Sequence, residues 1–358
     1  MIACSACKTP YPNDHIPHIC PHCGGIYDFS APLTFNTETT EPDLPGIWRY
    51  RHTFGLPADA PIVSLGEGNT PLVWAEAFGQ QVAFKLETLN PTGSFKDRGT
   101  ALLVSFLRSR GVTSAVEDSS GNAGASFSAY AARAGISAQV FIPAYASGPK
   151  REQIAHYGAQ VTPIPGPRSK ATEAVLEAVA QGQVYASHAY MPHGIPGLAT
   201  IAYELHAQLG QSPGTVIIPT GHGTLLLGVA RGFAALRRAG LIARQPVLVG
   251  VQAMACPPLW AEFHGKSIEV EEGETLAEGV RIRQSHRREA LLSVVSASGG
   301  TFLAVEEDRI TPGRDSLARA GLYVELTSAL VWDGLRQIAG HVPEPIVAIL
   351  TGSGLKDG

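Results

Sequence analysis

A lysine in the first turn of a helix is badly placed for a surface cation and well placed for a reactive amine. The stretch "LNPTGSFKDRG", residues 89 to 99, puts Lys96 in that position. Asn90, Pro91, Thr92 and Gly93 read as a turn. Ser94, followed three residues later by Asp97, reads as an N-cap with an acidic partner, the signature of a helix start. Leu102, Leu103, Phe106 and Leu107 then recur at helical spacing until Gly111. The partial positive charge at a helix N-terminus disfavours an ammonium, so Lys96 should titrate low. It can then serve as a nucleophilic amine, the kind that forms a Schiff base with a carbonyl group. The competing reading is a lysine that points into water.

Three loops at strand ends supply complementary chemistry. In "IIPTGHGTLLLG", residues 217 to 228, an apolar strand runs into Gly221, His222, Gly223 and Thr224 and then directly into a helix. Glycines let backbone amides converge on an anion, Thr224 adds a hydroxyl, and the helix start adds a favourable field, which together make a phosphate cradle. No Gly-Lys-Ser/Thr follows, and the next strand, "VLVGVQA", carries no acid for a ribose, so neither a Walker loop nor a dinucleotide fingerprint is present. The competing reading is a plain glycine-rich turn. In "EDSSGNAGAS", residues 117 to 126, Ser119, Ser120 and Asn122 with the amides freed by Gly121 can bind a carboxylate or a phenolate-like oxygen. In "AILTGSGLKDG", Thr351 leaves the last strand with its hydroxyl. An activated lysine, a non-nucleotide phosphate cradle, a polar amide loop and a hydroxyl are together what pyridoxal phosphate requires.

The elements that must position these groups follow from the hydrophobic pattern. Short apolar runs alternate with amphipathic ones: "QVAFKLE", "TSAVE", "AQVFIP", "AQVTPI", "QVYASH", "TVIIP", "PVLVGVQA" and "IVAIL" read as strands, most of them followed by a helix. Repeated βα units imply mostly parallel open sheets covered by helices, with ligand loops at the carboxyl ends of the strands.

The chain of 358 residues is 44% hydrophobic and 16% charged, with a net charge of −4. There is no basic run for a nucleic-acid surface, no apolar run long enough for a membrane span, and no signal-peptide pattern at "MIACSACKTP". A cytoplasmic protein with a small-molecule partner is expected. Cys4-x-x-Cys7 and Cys20-x-x-Cys23, with twelve residues between the pairs, have the spacing of a zinc ribbon, since each pair offers two thiolates from one tight turn. Two disulfides, or a ribbon without metal, are the other readings of the four thiols. Cys256 reads as an ordinary buried thiol outside the pairs.

"NPTGSFKDRG", "SSGNAG", "PTGHGT", "TLAEGVRI", "GLYVELTSAL" and "TGSGLKDG", in this order, resemble the motif series of threonine synthase and its relatives in fold type II of the pyridoxal-phosphate enzymes. "LGEGNTPL" and a preceding zinc ribbon also occur in that group, and the likeness spans nearly the whole chain. The resemblance implies a two-lobed α/β fold with mostly parallel open sheets plus an N-terminal zinc ribbon. The expected division is a ribbon at 1–27, a large cofactor-binding domain at 28–102 and 197–358, and a smaller inserted α/β domain at 103–196. It further implies that Lys96 carries the cofactor and that Asn122 bonds its 3′ oxygen. Gly221, His222, Gly223 and Thr224 would hold its phosphate, and Thr351 would face its ring nitrogen. Ser119, Ser120, Asn122 and the amide of Ala123 would hold the substrate carboxylate, and Lys96, once released, would move the α proton. Such enzymes are commonly homodimers.

One segment departs from the pattern. Threonine synthases that use O-phosphohomoserine carry a stretch like Asn-Ser-x-Asn-Pro-x-Arg-x-x-Gly-Gln-Lys-Thr, where this sequence has "HAYMPHGIPGLAT", residues 188 to 200. His188, Ala189, Gly194 and Ala199 stand where asparagine, serine, arginine and lysine would be. Charge-assisted contacts of the missing kind contribute about 1.5–3 kcal/mol each, so the site has been rebuilt around the substrate's side-chain end. His188 takes a substrate-binding place, and His188, His193 and His222 are candidate acid–base groups. Threonine synthesis by elimination and replacement is the leading named activity, followed by a lyase or synthase acting on a hydroxy, O-acyl or diamino acid. A binding module without catalysis, a nucleotide-dependent enzyme and a silent cofactor carrier are the rivals from other classes.

Overall fold

The computed structural model describes residues 1–146, 148–267 and 274–357. Its strands are Ile2–Cys4 (β1), Tyr27–Phe29 (β2), Leu72–Ala77 (β3), Gln80–Leu86 (β4), Ser114–Glu117 (β5) and Ser137–Pro143 (β6). Then come Gln160–Ile164 (β7), Thr215–Pro219 (β8), Val247–Ala253 (β9), Thr301–Val305 (β10) and Ile346–Leu350 (β11). The helices are Lys96–Ser109 (α1), Asn122–Ala134 (α2), Pro149–His156 (α3), Arg168–Ala180 (α4) and Ile195–Leu209 (α5). They continue with Thr224–Arg238 (α6), Pro258–Phe263 (α7), Arg288–Ala297 (α8), Glu307–Arg319 (α9) and Leu326–Ile338 (α10).

Two compact units divide the chain, the first comprising residues 1–67 and 96–197 and the second residues 68–95 and 198–357. The connector from 28 onward, which the sequence reading assigned to the large domain, belongs to the first unit as far as Glu67. Glu67 is the physical reason. Its fully buried carboxylate accepts Trp48 Nε1 at 2.8 Å and the Tyr130 hydroxyl at 2.7 Å, both groups of that unit. Burial and the neighbouring Asp97 and Glu67 carboxylates raise the Tyr130 phenol far above its ordinary range, so it stays a donor.

In the first unit, β5, β6 and β7 form a parallel sheet flanked by α2 and α4. The expected strand "QVYASH" is reduced to one bridge, Tyr185 opposite Val116. Val116 donates its amide to the Val184 carbonyl at 2.8 Å and accepts that of Ala186 at 2.9 Å, after which the chain turns away at His188. The N-terminal module pairs β1 antiparallel with β2. Its loop packs on the same unit: Tyr11 meets His193 edge-on at 5.0 Å, and the Arg110 guanidinium bonds the carbonyls of Pro12, Asn13 and His15.

In the second unit, six strands run in the order β10-β9-β8-β11-β4-β3, all pairs parallel except the edge strand β3. β8 and β11 are buried along their whole length, as expected of strands covered on both faces. Ile217, Val251, Ile346 and Leu350 meet Leu330 and Leu335 of α10 in one core. Each such side chain contributes about 1.5–3 kcal/mol on burial. Because β8 and β11 are neighbours in register, Ala348 opposite Ile217, the loops that follow them leave the same edge of this sheet. The edge strand β3, strand β10 and helices α8 to α10 are additions that the sequence reading did not draw out.

Candidate active site

Lys96 is the first residue of α1 and is partly buried. The expected cap is not what starts this helix. Ser94 forms an antiparallel bridge with Gly352, and Phe95 donates its amide to the Thr351 carbonyl at 3.0 Å, so backbone pairing sets the entry to α1. The Ser94 hydroxyl is buried and meets no hydrogen-bond partner among the described residues. Asp97, instead of closing a capping box, accepts the Ser126 hydroxyl of α2 at 2.7 Å. An acid in this first turn is favoured by the helix field whichever partner it takes. The preceding turn is as expected, with Gly93 at φ +82° donating to the Asn90 carbonyl at 2.7 Å.

The amide loop lies in the same unit. Gly121 caps α2, Asn122 opens it, and the Gly121 amide bonds the Ser119 hydroxyl at 3.3 Å. The amides of Ala123 and Gly124 reach no acceptor among the described residues, the usual condition of a helix start and a ready anion site. Gly124 makes the loop possible, since a Cβ there would lie 1.9 Å from the Ser119 carbonyl oxygen. Ser119 and Ala123 are buried, while Ser120 and Asn122 are partly open.

Just before this loop stand two acids that the sequence reading passed over. Glu117 and Asp118 are 1% and 7% exposed. Burial pushes both carboxyls above their ordinary range, Glu117 adds to the effect at Asp118, and Arg168 pulls both back. Asp118 accepts the Tyr185 hydroxyl and the Thr172 hydroxyl, each at 2.7 Å. Glu117 Oε1 lies 3.4 Å from His188 Nδ1. A run of two carboxylates at a strand end, directly ahead of a polar loop, is the sequence signal that marks them.

The His193 ring stacks on Phe106 with centroids 3.6 Å and planes 15° apart. Gly194 and Gly197 press on the first turn of α1. A Cβ at Gly194 would lie 2.9 Å from the Gly99 carbonyl oxygen, and one at Gly197 would lie 2.1 Å from that of Arg98. The arginine expected at position 194 in a phosphohomoserine enzyme therefore has no room for its own Cβ.

The second unit holds the other set. Gly223, at φ +79°, ends the turn after β8, and α6 begins at Thr224 with no acid in its first turn. The amides of Gly223, Thr224, Leu225 and Leu226 find no acceptor among the described residues. A Cβ at Gly223 would meet Leu291 at 2.3 Å, and one at Gly221 would meet the Gly279 carbonyl at 2.8 Å, so both must be glycine. Ser285 donates to the His222 carbonyl at 2.8 Å, and the His222 ring stacks on His286 at 5.6 Å. Convergent amides, a threonine hydroxyl and an uncompensated helix start form a donor set that suits a phosphate monoester. From the neighbouring strand, buried Thr351 shares a 2.7 Å hydrogen bond with Ser328 of α10, which also accepts the Gly352 amide at 2.9 Å. Ser328 was likewise not singled out from sequence.

Among the described residues, Cys4, Cys7, Cys20 and Cys23 bring four sulfurs within 4.8 Å of one another, and none is in a disulfide. The Cys4–Cys23 and Cys7–Cys20 separations are 3.5 and 3.6 Å. Thr9, through its hydroxyl and its backbone, lowers the Cys7 thiol to about 6.

Residues 63–352 match the family model described as pyridoxal-phosphate dependent enzyme. The chain is 31% identical over 376 residues to a threonine synthase of Methanosarcina acetivorans, covering 99% of this chain and 92% of that one. It is 32% identical over 378 residues to a threonine synthase of Methanocaldococcus jannaschii, with the same two coverages. Among solved structures, a threonine deaminase from T.th. superposes with a TM-score of 0.69 at 26% identity, over 79% of this chain and 92% of that one.

Proposed function

The chain belongs to the pyridoxal-phosphate-dependent enzymes, with the α/β architecture of their fold type II, and from that premise we propose that it converts O-phosphohomoserine and water into threonine and phosphate. The observation that carries the reading is likeness along 99% of the chain to two threonine synthases.

As the resemblance implies, Lys96 would hold the cofactor, Asn122 would bond its 3′ oxygen, and Gly221, His222, Gly223 and Thr224 would hold its phosphate. Thr351, held by its hydrogen bond with Ser328, would face the ring nitrogen with a hydroxyl instead of an acid. When bound, pyridoxal phosphate supplies an electron-withdrawing ring that makes the hydrogens on the substrate's carbon chain removable. The residues of the chain do the rest. Ser119, Ser120, Asn122 and the Ala123 amide bind and orient the substrate carboxylate, His188 meets the side-chain end, and Lys96 moves the carbon-bound protons. The four N-terminal thiolates bind a structural zinc. A tetrahedral ion with Zn–S bonds of about 2.3 Å needs S···S edges of about 3.8 Å, a spacing the four sulfurs support. Metal analysis should return zinc, lost on replacing Cys20 by serine. No helix among the described residues is long and apolar enough to cross a membrane.

A second reading is favoured by Gly194. With no space for a Cβ against Gly99, this position cannot supply the phosphate-binding arginine, so a lyase or synthase on a hydroxy, O-acyl or diamino acid is the alternative. Incubation of the holo-protein with O-phosphohomoserine separates the two. Threonine and phosphate in equal amounts support the first, and a keto acid from another amino acid with no threonine supports the second. Borohydride should fix the cofactor to Lys96, located by peptide mass mapping, and a colourless Lys96→Ala protein that still turns over would overturn both.

A further inference from the structure

The acid pair ahead of the amide loop has no part in the scheme above. Asp118 is engaged by Tyr185 and Thr172, each at 2.7 Å, and reads as a brace between α4 and the chain around Tyr185. Glu117 is different. One of its oxygens takes the backbone amide of Asp118, and the other faces His188 at 3.4 Å. Their spacing is set by the main chain, because the bonds of Val116 to Val184 and Ala186 lay the 184–186 segment along the end of β5. The pair is also graded in exposure: the Glu117 side chain keeps 2% of its surface and that of His188 keeps 26%. A buried carboxylate therefore backs a ring that still reaches solvent. The charged and titratable groups around the pair are Lys96 from α1 and Arg168 from α4, both acting on Glu117, Asp118 beside it, and Tyr185 and Tyr190 from the segment of His188.

We propose that Glu117 is a positioning residue that fixes His188 as the acid–base group for the side-chain end of the substrate, while Lys96 serves the carbon chain. This rests on the phosphohomoserine reading. As the Cγ–O bond breaks, its electron pair leaves on the phosphate oxygen and His188 gives that oxygen a proton. His188 recovers a proton from the water whose oxygen bonds to Cβ. The one hydrogen that must move from Cβ to Cγ stays with Lys96, so atoms and charge balance without a further reactant. The histidine would thus supply in one group what the absent arginine and lysine cannot.

The test compares wild type, Glu117→Gln and His188→Asn as holo-proteins, with unchanged cofactor absorbance certifying the fold. NMR titration of ring-labelled histidine reads the pair without turnover. In Glu117→Gln the His188 midpoint should fall by about 1 or more, as expected on losing an adjacent carboxylate. With O-phosphohomoserine in heavy water, His188→Asn should release phosphate about 100-fold more slowly while exchange of the substrate's α hydrogen stays within about threefold. Glu117→Gln should lose less and shift the acidic limb of its pH profile as the titration shifts. An unmoved His188 midpoint in Glu117→Gln, phosphate release in His188→Asn near the wild-type rate, or parallel loss of release and exchange would each overturn the proposal. Wild type inert in both turnover assays would overturn the phosphohomoserine reading instead, and the titration would still decide whether Glu117 holds His188.

Discussion

Replacing Lys85 by methionine should destabilise the protein by about 3–5 kcal/mol, because it takes the ammonium away from a buried carboxylate. Lys85 of β4 is fully buried, and its ammonium donates to Glu204 at 2.7 Å, to the Thr70 carbonyl at 2.7 Å and to Gln208 at 2.9 Å. Methionine fills most of the stem's volume, so packing is nearly conserved and the loss is electrostatic. The Thr70 carbonyl keeps a donor in Gln208 Nε2 at 2.8 Å. Glu204 keeps the Asn69 amide at 2.8 Å but loses the Lys85 ammonium, with its side chain 4% exposed. Adding Glu204→Gln removes the buried charge and keeps an acceptor for Asn69, so the double variant should recover about 2 kcal/mol. The sign with pH follows. In Lys85→Met, burial favours protonated Glu204 in the folded chain, which then binds more protons than the unfolded one. Stability therefore rises as pH falls, by up to about 1.4 kcal/mol per pH unit, until the unfolded carboxylate range is reached. Urea unfolding followed by circular dichroism at about pH 7.5 and about pH 5.5 measures both effects. A deficit under about 1 kcal/mol, or one that does not shrink on acidification relative to wild type, would refute the reasoning.

Gly223→Ala should weaken pyridoxal-phosphate binding at least about tenfold, since a left-handed residue costs about 1–2 kcal/mol and the new methyl meets Leu291; fluorescence titration of the apo-protein measures it, and unchanged affinity would remove the cradle from the site. Ser328→Ala leaves the Gly352 amide without its 2.9 Å acceptor and should lower stability by about 1–3 kcal/mol in urea unfolding, with a shifted cofactor band as the sign that Thr351 has moved. A variant with an unchanged midpoint and spectrum would mean that Ser328 does not hold Thr351.

The turns and helix starts at the glycine loop, at Ser119–Asn122 and at Lys96 were legible in the sequence, because each is written in consecutive residues. The cap at Ser94 was misjudged for the opposite reason: its backbone is claimed by Gly352, a partner far away in the chain, and tertiary pairing overrides a capping preference worth about 1 kcal/mol. Glu117 and His188 are 71 positions apart, and Ser328 and Thr351 are 23 apart. No periodicity links such pairs; only the bridge at Val116 and the strand order bring them together. The departure at Gly194 was visible as a missing arginine, but the Gly99 carbonyl against its face belongs to helix packing.

The contact of Tyr11 with His193 bears on how this protein can be altered by hand. Tyr11 lies between the two cysteine pairs, 5.0 Å from a ring that is stacked in turn on Phe106 of α1, the helix that Lys96 begins. The cysteine module is therefore not an exchangeable cassette. A module transplanted from a relative must bring an aromatic residue to position 11 and keep its loop length. Clipping the first thirty residues to simplify expression would bare one face of the Phe106–His193 stack, close in sequence to His188. A library meant to change substrate choice can vary His188 together with Glu117, provided that Tyr11, Phe106 and His193 are held constant as its frame.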